Sequence, residues 1–335
     1  MYQIGAGGSS TLDGLIRLDK TWETLKNGGW KEEPREIVHI NAKKMAVSPQ
    51  YDVIVSGGTL GIFFGLALQN KGYKVCVIER NKILGRQQEW NISRKELNTL
   101  IRLGILTESE SNLILGIEFN PVRVGFKSDT SITPSNEFEL YVNDILNLGV
   151  KPDVLIDLTR RNFESTGGIV VENAAIERVE TYENGVQVIC SQSSHSARLV
   201  LDAMGNASPI AKQARGAVQP DGICVVVGGC AAGFDARNNT YSDVIYTDTP
   251  LTAKENSQLQ YCWEAFPAGT GPTERTTYLF TYMDASKERP SIGEIMDDYW
   301  ELLPRYQGVQ VADLQFKRVL YGMFPTYRFD QIVFS

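Results

Sequence analysis

The densest apolar pattern in the chain lies between residues 51 and 79. The run YDVIV at 51–55 is short and almost unbroken, the pattern of a strand buried on both faces of a parallel sheet. The turn Ser56-Gly57-Gly58-Thr59-Leu60-Gly61 follows at once. A helical stretch then runs to about Lys71, with Leu60, Phe64, Ala67 and Leu68 on one predicted apolar face. Gly72 closes it as a left-handed cap would, and 74–78 reads as a second strand ending at Glu79. Together these make a βαβ unit.

Further along, Ser93-Arg94-Lys95-Glu96 is a capping box that predicts a helix to Leu103, with another near 107–113. Residues 155–163 read as helix, stopped by Gly167-Gly168, and 169–171 as strand. Asn184-Gly185 between 176–182 and 186–190 predicts a hairpin. Residues 197–201 form a buried strand ending in Asp202-Ala203-Met204-Gly205. From Gly222 long β-like runs take over, at 223–227, 241–246, 260–266, 277–283 and 315–321, with a helix at 291–302. The chain thus divides into an N-terminal extension, 1–50, holding a short helix at 15–25 and packed on the core that follows. A first domain spans 51–221 with an insertion at about 104–150, and a sheet-rich domain spans 222–335.

Composition narrows the function classes. The 335 residues give room for two domains at ~150 residues each. With 33 Lys and Arg against 40 Asp and Glu the net charge is −7, which argues against electrostatic capture of nucleic acid. Five cysteines, an odd number without Cys-x-x-Cys spacing, argue against a disulfide framework or zinc site and fit a reducing compartment. Two histidines, His39 and His195, exclude a histidine-rich metal centre, so no metal site is expected. His195, among serines, reads as an exposed loop residue. No apolar run reaches the ~18 residues of a membrane span, and no targeting segment is visible from Met1 onward.

The glycine turn carries the chemistry. A strand followed by Gly57-Gly58-Thr59-Leu60-Gly61 and a helix gathers unpaired backbone N–H groups at a helix N-terminus, where a pyrophosphate is favoured. Small residues there are expected to let the phosphates approach closely. Glu79, 18 residues beyond Gly61, is placed to accept hydrogen bonds from ribose hydroxyls. The first position of the G-x-G-x-x-G frame is Ser56, a departure from glycine.

The order of these segments, with Glu79-Arg80 after the second strand, GGIVVENAAIERV at 167–179, the Asn-Gly hairpin and ARLVLDAMGNASP at 197–209, resembles the FAD-dependent superfamily of aromatic hydroxylases, geranylgeranyl reductases and lycopene cyclases. Asp202-Ala203-Met204-Gly205 is most similar to the Asp-Ala-Thr-Gly of lycopene cyclases. With Trp-Glu-Ala-Phe-Pro at 263–267 and Phe-Pro-Thr-Tyr-Arg at 324–328, the chain resembles the lycopene-cyclase-related FAD-linked oxidoreductase-like proteins of plants.

The resemblance implies an α/β fold, a Rossmann-like FAD-binding domain interleaved with a mixed-sheet substrate domain. FAD is the implied cofactor, a small lipophilic, isoprenoid-type compound the implied substrate, and a plastid the implied location. Gly57, Gly58, Thr59, Leu60 and Gly61 would surround the pyrophosphate, and Glu79 would hold the adenosine ribose with Arg80 beside the adenine. Ala175 or Ile176 would meet the adenine through its backbone, Arg86 would lie near the pyrophosphate or flavin, and Ala203 and Gly205 would pass on the far side. The superfamily's third FAD segment, a strand and then Gly-Asp-Ala, does not occur before Ser335. That expectation is of a truncated chain holding FAD weakly or not at all.

Two further readings follow from the residues. Glu264, an acid among aromatics, is a candidate proton donor, against the plainer alternative of a structural carboxylate on a strand. Trp263, Phe266, Tyr278, Phe280 and Tyr282 either line an apolar pocket or simply pack the sheet. The competing functions are a non-catalytic flavin-binding protein and an NAD(P)-dependent dehydrogenase. The hairpin before 197–201 argues against the dehydrogenase.

Overall fold

The computed structural model describes residues 8–127, 137–237, 239–247, 259–269 and 271–327. Elements are numbered in chain order. Arg328 and the tail 329–335 lie outside the described residues.

The first sheet has seven strands. In spatial order they are β1 (Val38–Ile40), β10 (Ile176–Tyr182), β11 (Gly185–Cys190), β12 (Ser194–Asp202), β2 (Tyr51–Ser56), β3 (Val75–Ile78) and β9 (Ile169–Val171). From β12 to β9 the pairing is parallel, and the β10–β11–β12 meander, turned at Asn184-Gly185, is antiparallel. The unbroken apolar run in β2 follows from burial on both faces. Val53 and Val55 pack with α2 (Gly58–Gln69) and α5 (Pro152–Ser165), while Ile54 packs with Val179, Val188 and Ala197. His195 lies within β12, paired with Val188, not in a loop.

The predicted apolar face of α2 is turned outward at its first half. Leu60 and Phe64 are 55% and 57% exposed, and the buried face is Gly58, Gly61, Ile62, Gly65 and Leu66. Glycine decides the rotation. An added Cβ on Gly61 or Gly65 would stand 2.8 Å from Val55 Cγ1 or Val77 Cγ2, so the helix lies directly on the sheet there.

The second sheet, also of seven strands, has the order β17 (Gln315–Thr326), β13 (Gly222–Ala232), β16 (Glu274–Met283), β15 (Tyr261–Pro267), β14 (Ser242–Thr247), β6 (Val122–Lys127) and β7 (Phe138–Val142). β6 and β7 come from the stretch 104–150, yet they bond into this sheet, β6 parallel to β14. A small third sheet joins β4 (Trp90–Ile92), β8 (Leu148–Val150) and β5 (Leu115–Glu118). The helices α3 (Arg94–Arg102) and α4 (Glu108–Ile114) both start at complete capping boxes, Ser93/Glu96 and Thr107/Glu110.

Alternation splits the second sheet into two faces. Ile223, Val225, Val227, Leu279, Tyr261 and Trp263 face α7 (Ile292–Gln307) and α1 (Gly8–Lys26) in a closed core. Trp263, stacked on Tyr306 at 4.5 Å and Tyr299 at 5.8 Å, therefore lies on the opposite face from Phe266, Tyr278, Phe280 and Tyr282. It is a core residue and leaves the predicted aromatic group. The extension divides between the sheets. β1 joins the first, while α1, longer than predicted, packs on the second. Asp19 accepts hydrogen bonds from the N–H groups of Ile292 and Gly293 at the start of α7, at 2.6 and 3.0 Å. Buried Trp22 donates to the Pro290 carbonyl at 2.8 Å.

At the other end of α7 sits a buried ion cluster. Asp243 accepts from Arg123 Nε at 2.7 Å, Arg275 Nη2 at 3.0 Å and Gln307 Nε2 at 3.2 Å. Among the described residues no helix is long and apolar enough to cross a membrane.

Candidate functional site

β12, β2 and β3 end in line, with Asp202 beside Ser56 and Ser56 beside Ile78. Just beyond these carboxyl ends lies a cleft of about 590 Å³. Such a crevice is where open parallel sheets take ligands. Gly57, Gly58, Thr59, Leu60, Glu79, Arg80, Ala175, Ile176, Ala203 and Gly205 all line it. Chain pattern alone did not point to Asn81, Lys82, Ala207 and Pro209, which line it too. The signal for the first two was adjacency to Glu79-Arg80, and for the last two the turn after Gly205.

The geometry gives the glycines a different task from the one expected. Gly57 has φ 97°, and a Cβ there would sit 2.7 Å from the Ala203 carbonyl oxygen and 2.9 Å from the Met204 nitrogen. A Cβ on Gly58 would meet Ile83 Cγ1 at 2.4 Å, and the Gly61 position abuts Val55. The room is needed by the protein's own chain, so that the two turns cross and the helix seats on the strand. Gly61 does not line the cleft. Gly205 is the converse case, with φ 72° and open space around it.

Gly57 offers no side-chain cap to α2, so the Thr59 and Leu60 N–H groups are left to the cleft. Glu79 Oε2 accepts the Gly58 N–H at 2.8 Å and Oε1 the Asn81 N–H at 3.0 Å. Each carboxylate oxygen keeps a second lone pair for a ligand hydroxyl.

Ser56, at the departure from the glycine frame, is fully buried with its Oγ unpartnered among the described residues. A buried hydroxyl without a partner costs about 1–3 kcal/mol. Ser56→Ala is therefore expected to stabilise the fold by about 1 kcal/mol in urea unfolding. A loss of stability would mean that the hydroxyl has a partner after all.

Arg86 is not in the cleft. The segment from Arg80 onward leaves it and crosses to the second sheet. The Ile83 N–H donates to Glu172 at 2.7 Å, and Gly85 presses on the Pro152 backbone so closely that a Cβ would lie 2.2 Å from its oxygen. Gln88 then donates to Thr276 Oγ1 at 2.9 Å and accepts from Arg318 at 3.3 Å, and Glu89 accepts the Gly269 N–H at 3.2 Å. Exposed Arg86 is thereby carried toward Tyr278, whose phenol its charge favours ionising.

Glu264 lies on the same face of the second sheet, paired with Tyr278 on one side and Val244 on the other. It is half-buried and has no hydrogen-bond or ion-pair partner among the described residues. Burial pushes its carboxyl above the usual carboxylate range. Burial likewise pushes Tyr278 up to about 12, against the opposing charge of Arg86, and Cys262 up to about 12. The structure thus forms two groups, a cleft at the ends of β2, β3 and β12, and an acidic, phenolic face reached by the segment that leaves it.

No protein-family model and no curated protein matches the chain. Solved structures do. The halogenase PltM in complex with phloroglucinol and FAD superposes with TM-score 0.58 at 14% identity, over 82% of this chain and 60% of the halogenase. A geranylgeranyl bacteriochlorophyll reductase-like protein from Thermoplasma acidophilum gives 0.53 at 16% identity, over 86% and 67% of the two chains. Aklavinone-11 hydroxylase, in a ternary complex with FAD and aklavinone, gives 0.58 at 12% identity, over 84% and 54%. The chain spans about three fifths of the halogenase's length. These likenesses establish the fold: an α/β architecture in which a Rossmann-type sheet is joined to a mixed substrate-domain sheet, as in these flavoenzymes.

Proposed function

We propose that the chain binds FAD in the cleft at the ends of β2, β3 and β12 and acts as a flavin-dependent oxidoreductase on a small, mainly apolar substrate. One observation carries this reading. The first turn of α2 with its Thr59 and Leu60 N–H groups, the Glu79 carboxylate and the Ala203–Gly205 turn surround a single cleft. An anion-seeking helix end and a hydroxyl-seeking acid so arranged suit a dinucleotide. Ten of the residues expected at FAD meet there.

In this reading the backbone N–H groups around Thr59 and Leu60 hold the pyrophosphate, and Glu79 holds the ribose. Arg80, Ala175 and Ile176 border the adenine, and Ala203 and Gly205 close the far side. Arg86 acts at the second sheet instead. FAD when bound supplies the electron-accepting chemistry, and the protein positions the substrate and keeps water from it. The neighbours named above that hold FAD with phloroglucinol or aklavinone support a small cyclic substrate. The finer assignment, a lycopene-cyclase-related protein of plastids with an isoprenoid-type substrate, rests on Asp202-Ala203-Met204-Gly205.

Titration with FAD, followed by the visible flavin band and by thermal unfolding, tests this. Saturable binding of one FAD per chain is expected, with Glu79→Ala weakening it by about 10–100-fold, the loss of a charge-assisted hydrogen bond of about 1.5–3 kcal/mol. Thermal stabilisation by NADPH with none by FAD would replace this reading with a pyridine-nucleotide dehydrogenase.

A further inference from the structure

The open face of the second sheet is graded along its strands. In one row, Cys230, Thr276 and Phe266 are buried beneath Gln88, Glu89 and Phe119. The next row, Gly228, Tyr278, Glu264 and Val244, is the first beyond that cover. Val226, Phe280, Cys262 and Tyr246 follow, then Cys224, Tyr282 and Phe324, where Tyr282 is 69% exposed. Among the described residues, Glu264 therefore stands at the inner end of an aromatic face that grows more exposed outward, to Tyr246 at 46%, Phe324 at 50% and Tyr282 at 69%. Gly228 across from Tyr278 keeps that row shallow, since a Cβ there would lie 3.0 Å from the Tyr278 ring. An apolar aromatic face with one polar group set into it is the make-up of a small-molecule site.

We propose that Glu264 is the acid–base residue of this face, passing a proton to the oxygen of a flat, otherwise apolar substrate that lies on Tyr278, Phe280 and Tyr282. This deepens the flavin-dependent reading and rests on it for the substrate's redox step. In the proton step one O–H bond at the Glu264 carboxyl breaks as one forms on the substrate oxygen. The carboxylate left behind regains a proton from water at the Tyr246 and Tyr282 end.

The groups around Glu264 leave it the proton carrier. Cys262 on its own strand, Tyr246 on β14, Tyr278 on β16 and Cys224 on β13 all have pKa values raised by burial or by one another, so they stay neutral at physiological pH. Arg86 and Glu89, from the crossing segment, act on Tyr278 with opposite sign. Glu264 is the carboxyl in this group, and burial raises its pKa.

The test uses 2-acetonaphthone, a flat apolar ketone whose oxygen can only accept, titrated by quenching of tryptophan fluorescence against the full chain between pH 4 and 8. The protonated carboxyl donates to the ketone oxygen and the carboxylate cannot, so the parent Kd is expected to weaken about fivefold or more as pH rises. Glu264→Gln, whose amide N–H donates at every pH, should hold the pH 4 affinity throughout, and Tyr282→Ala should weaken binding about threefold while keeping the slope. Urea unfolding gives a second readout. A carboxyl with a raised folded-state pKa contributes stability at low pH and loses it as pH rises through that pKa. Glu264→Gln should therefore gain on the parent as pH rises from 4 to 8. A flat parent profile, an unchanged slope in Glu264→Gln, or no saturable ketone binding overturns the proposal. FAD uptake is read separately from the flavin band. Failure of the ketone with FAD bound sinks the Glu264 assignment alone, and failure of FAD sinks the cofactor reading.

Discussion

Asp243→Ala is expected to destabilise the protein by about 3–5 kcal/mol in urea unfolding, the scale for stranding one partner of a buried ion pair. The carboxylate is 1% exposed and serves two guanidiniums at once, Arg123 and Arg275, with Gln307 as a third donor. Arg275 is itself buried, and its Nε is already unpartnered among the described residues. Removal of Asp243 takes from both guanidiniums the counter-charge they share. Arg123 retains Glu139 at 3.3 Å, so Arg275 bears most of the loss. Replacing Asp243 and Arg275 together by apolar residues of similar volume should cost less than Asp243→Ala alone, because no bare charge then remains. A cost below about 1 kcal/mol for the single change would mean that water solvates the cluster.

The second large effect is at the glycine turn. Gly57→Ala places a methyl 2.7 Å from the Ala203 carbonyl oxygen at a φ of 97°. Backbone strain of about 1–3 kcal/mol and overpacking of about 1–3 kcal/mol then add, for a loss of about 2–6 kcal/mol. The crossing of the two turns shapes the cleft, so FAD uptake should fall with stability. Gly205→Ala is the control. Its φ is also positive, but nothing lies within 4 Å of the new methyl, so only strain of about 1–2 kcal/mol is expected. Equal effects at the two positions would show that conformation alone, without the contact to Ala203, sets the cost.

What the residues made legible was local. The βαβ unit of 51–79, the Asn184-Gly185 hairpin, the capping box at Ser93 and the helix near 107–113 are each written in one short stretch of chain, and each forms. The cleft residues were legible because three segments converge at aligned strand ends. The side of α2 that is buried was not, because Gly61 and Gly65 carry no hydrophobic signal and are buried through closeness rather than apolar area. For Trp263 the packing alternative holds, and which face it joins was not legible, since an aromatic on a two-faced strand carries no mark of which core it joins. Arg86 was assigned through the family resemblance, which places a basic residue near the pyrophosphate or flavin. The crossing of Gly85 over Pro152, a contact between residues 67 positions apart, carries it elsewhere. The addition of β6 to the second sheet likewise depends on a partner more than a hundred residues away.

The clamp of Asp19 on the start of α7 joins groups 273 positions apart in the chain. At about 5–20 residues per second, roughly 15–50 s of ribosomal synthesis separate the two partners. Throughout that interval the first helix lacks the α7 partner that helps to cover the Trp22 ring, so it stays a sticky segment of the emerging polypeptide. The second sheet can close its hydrophobic side only after the ribosome has released both ends of that long detour, which makes this half of the molecule the later one to mature.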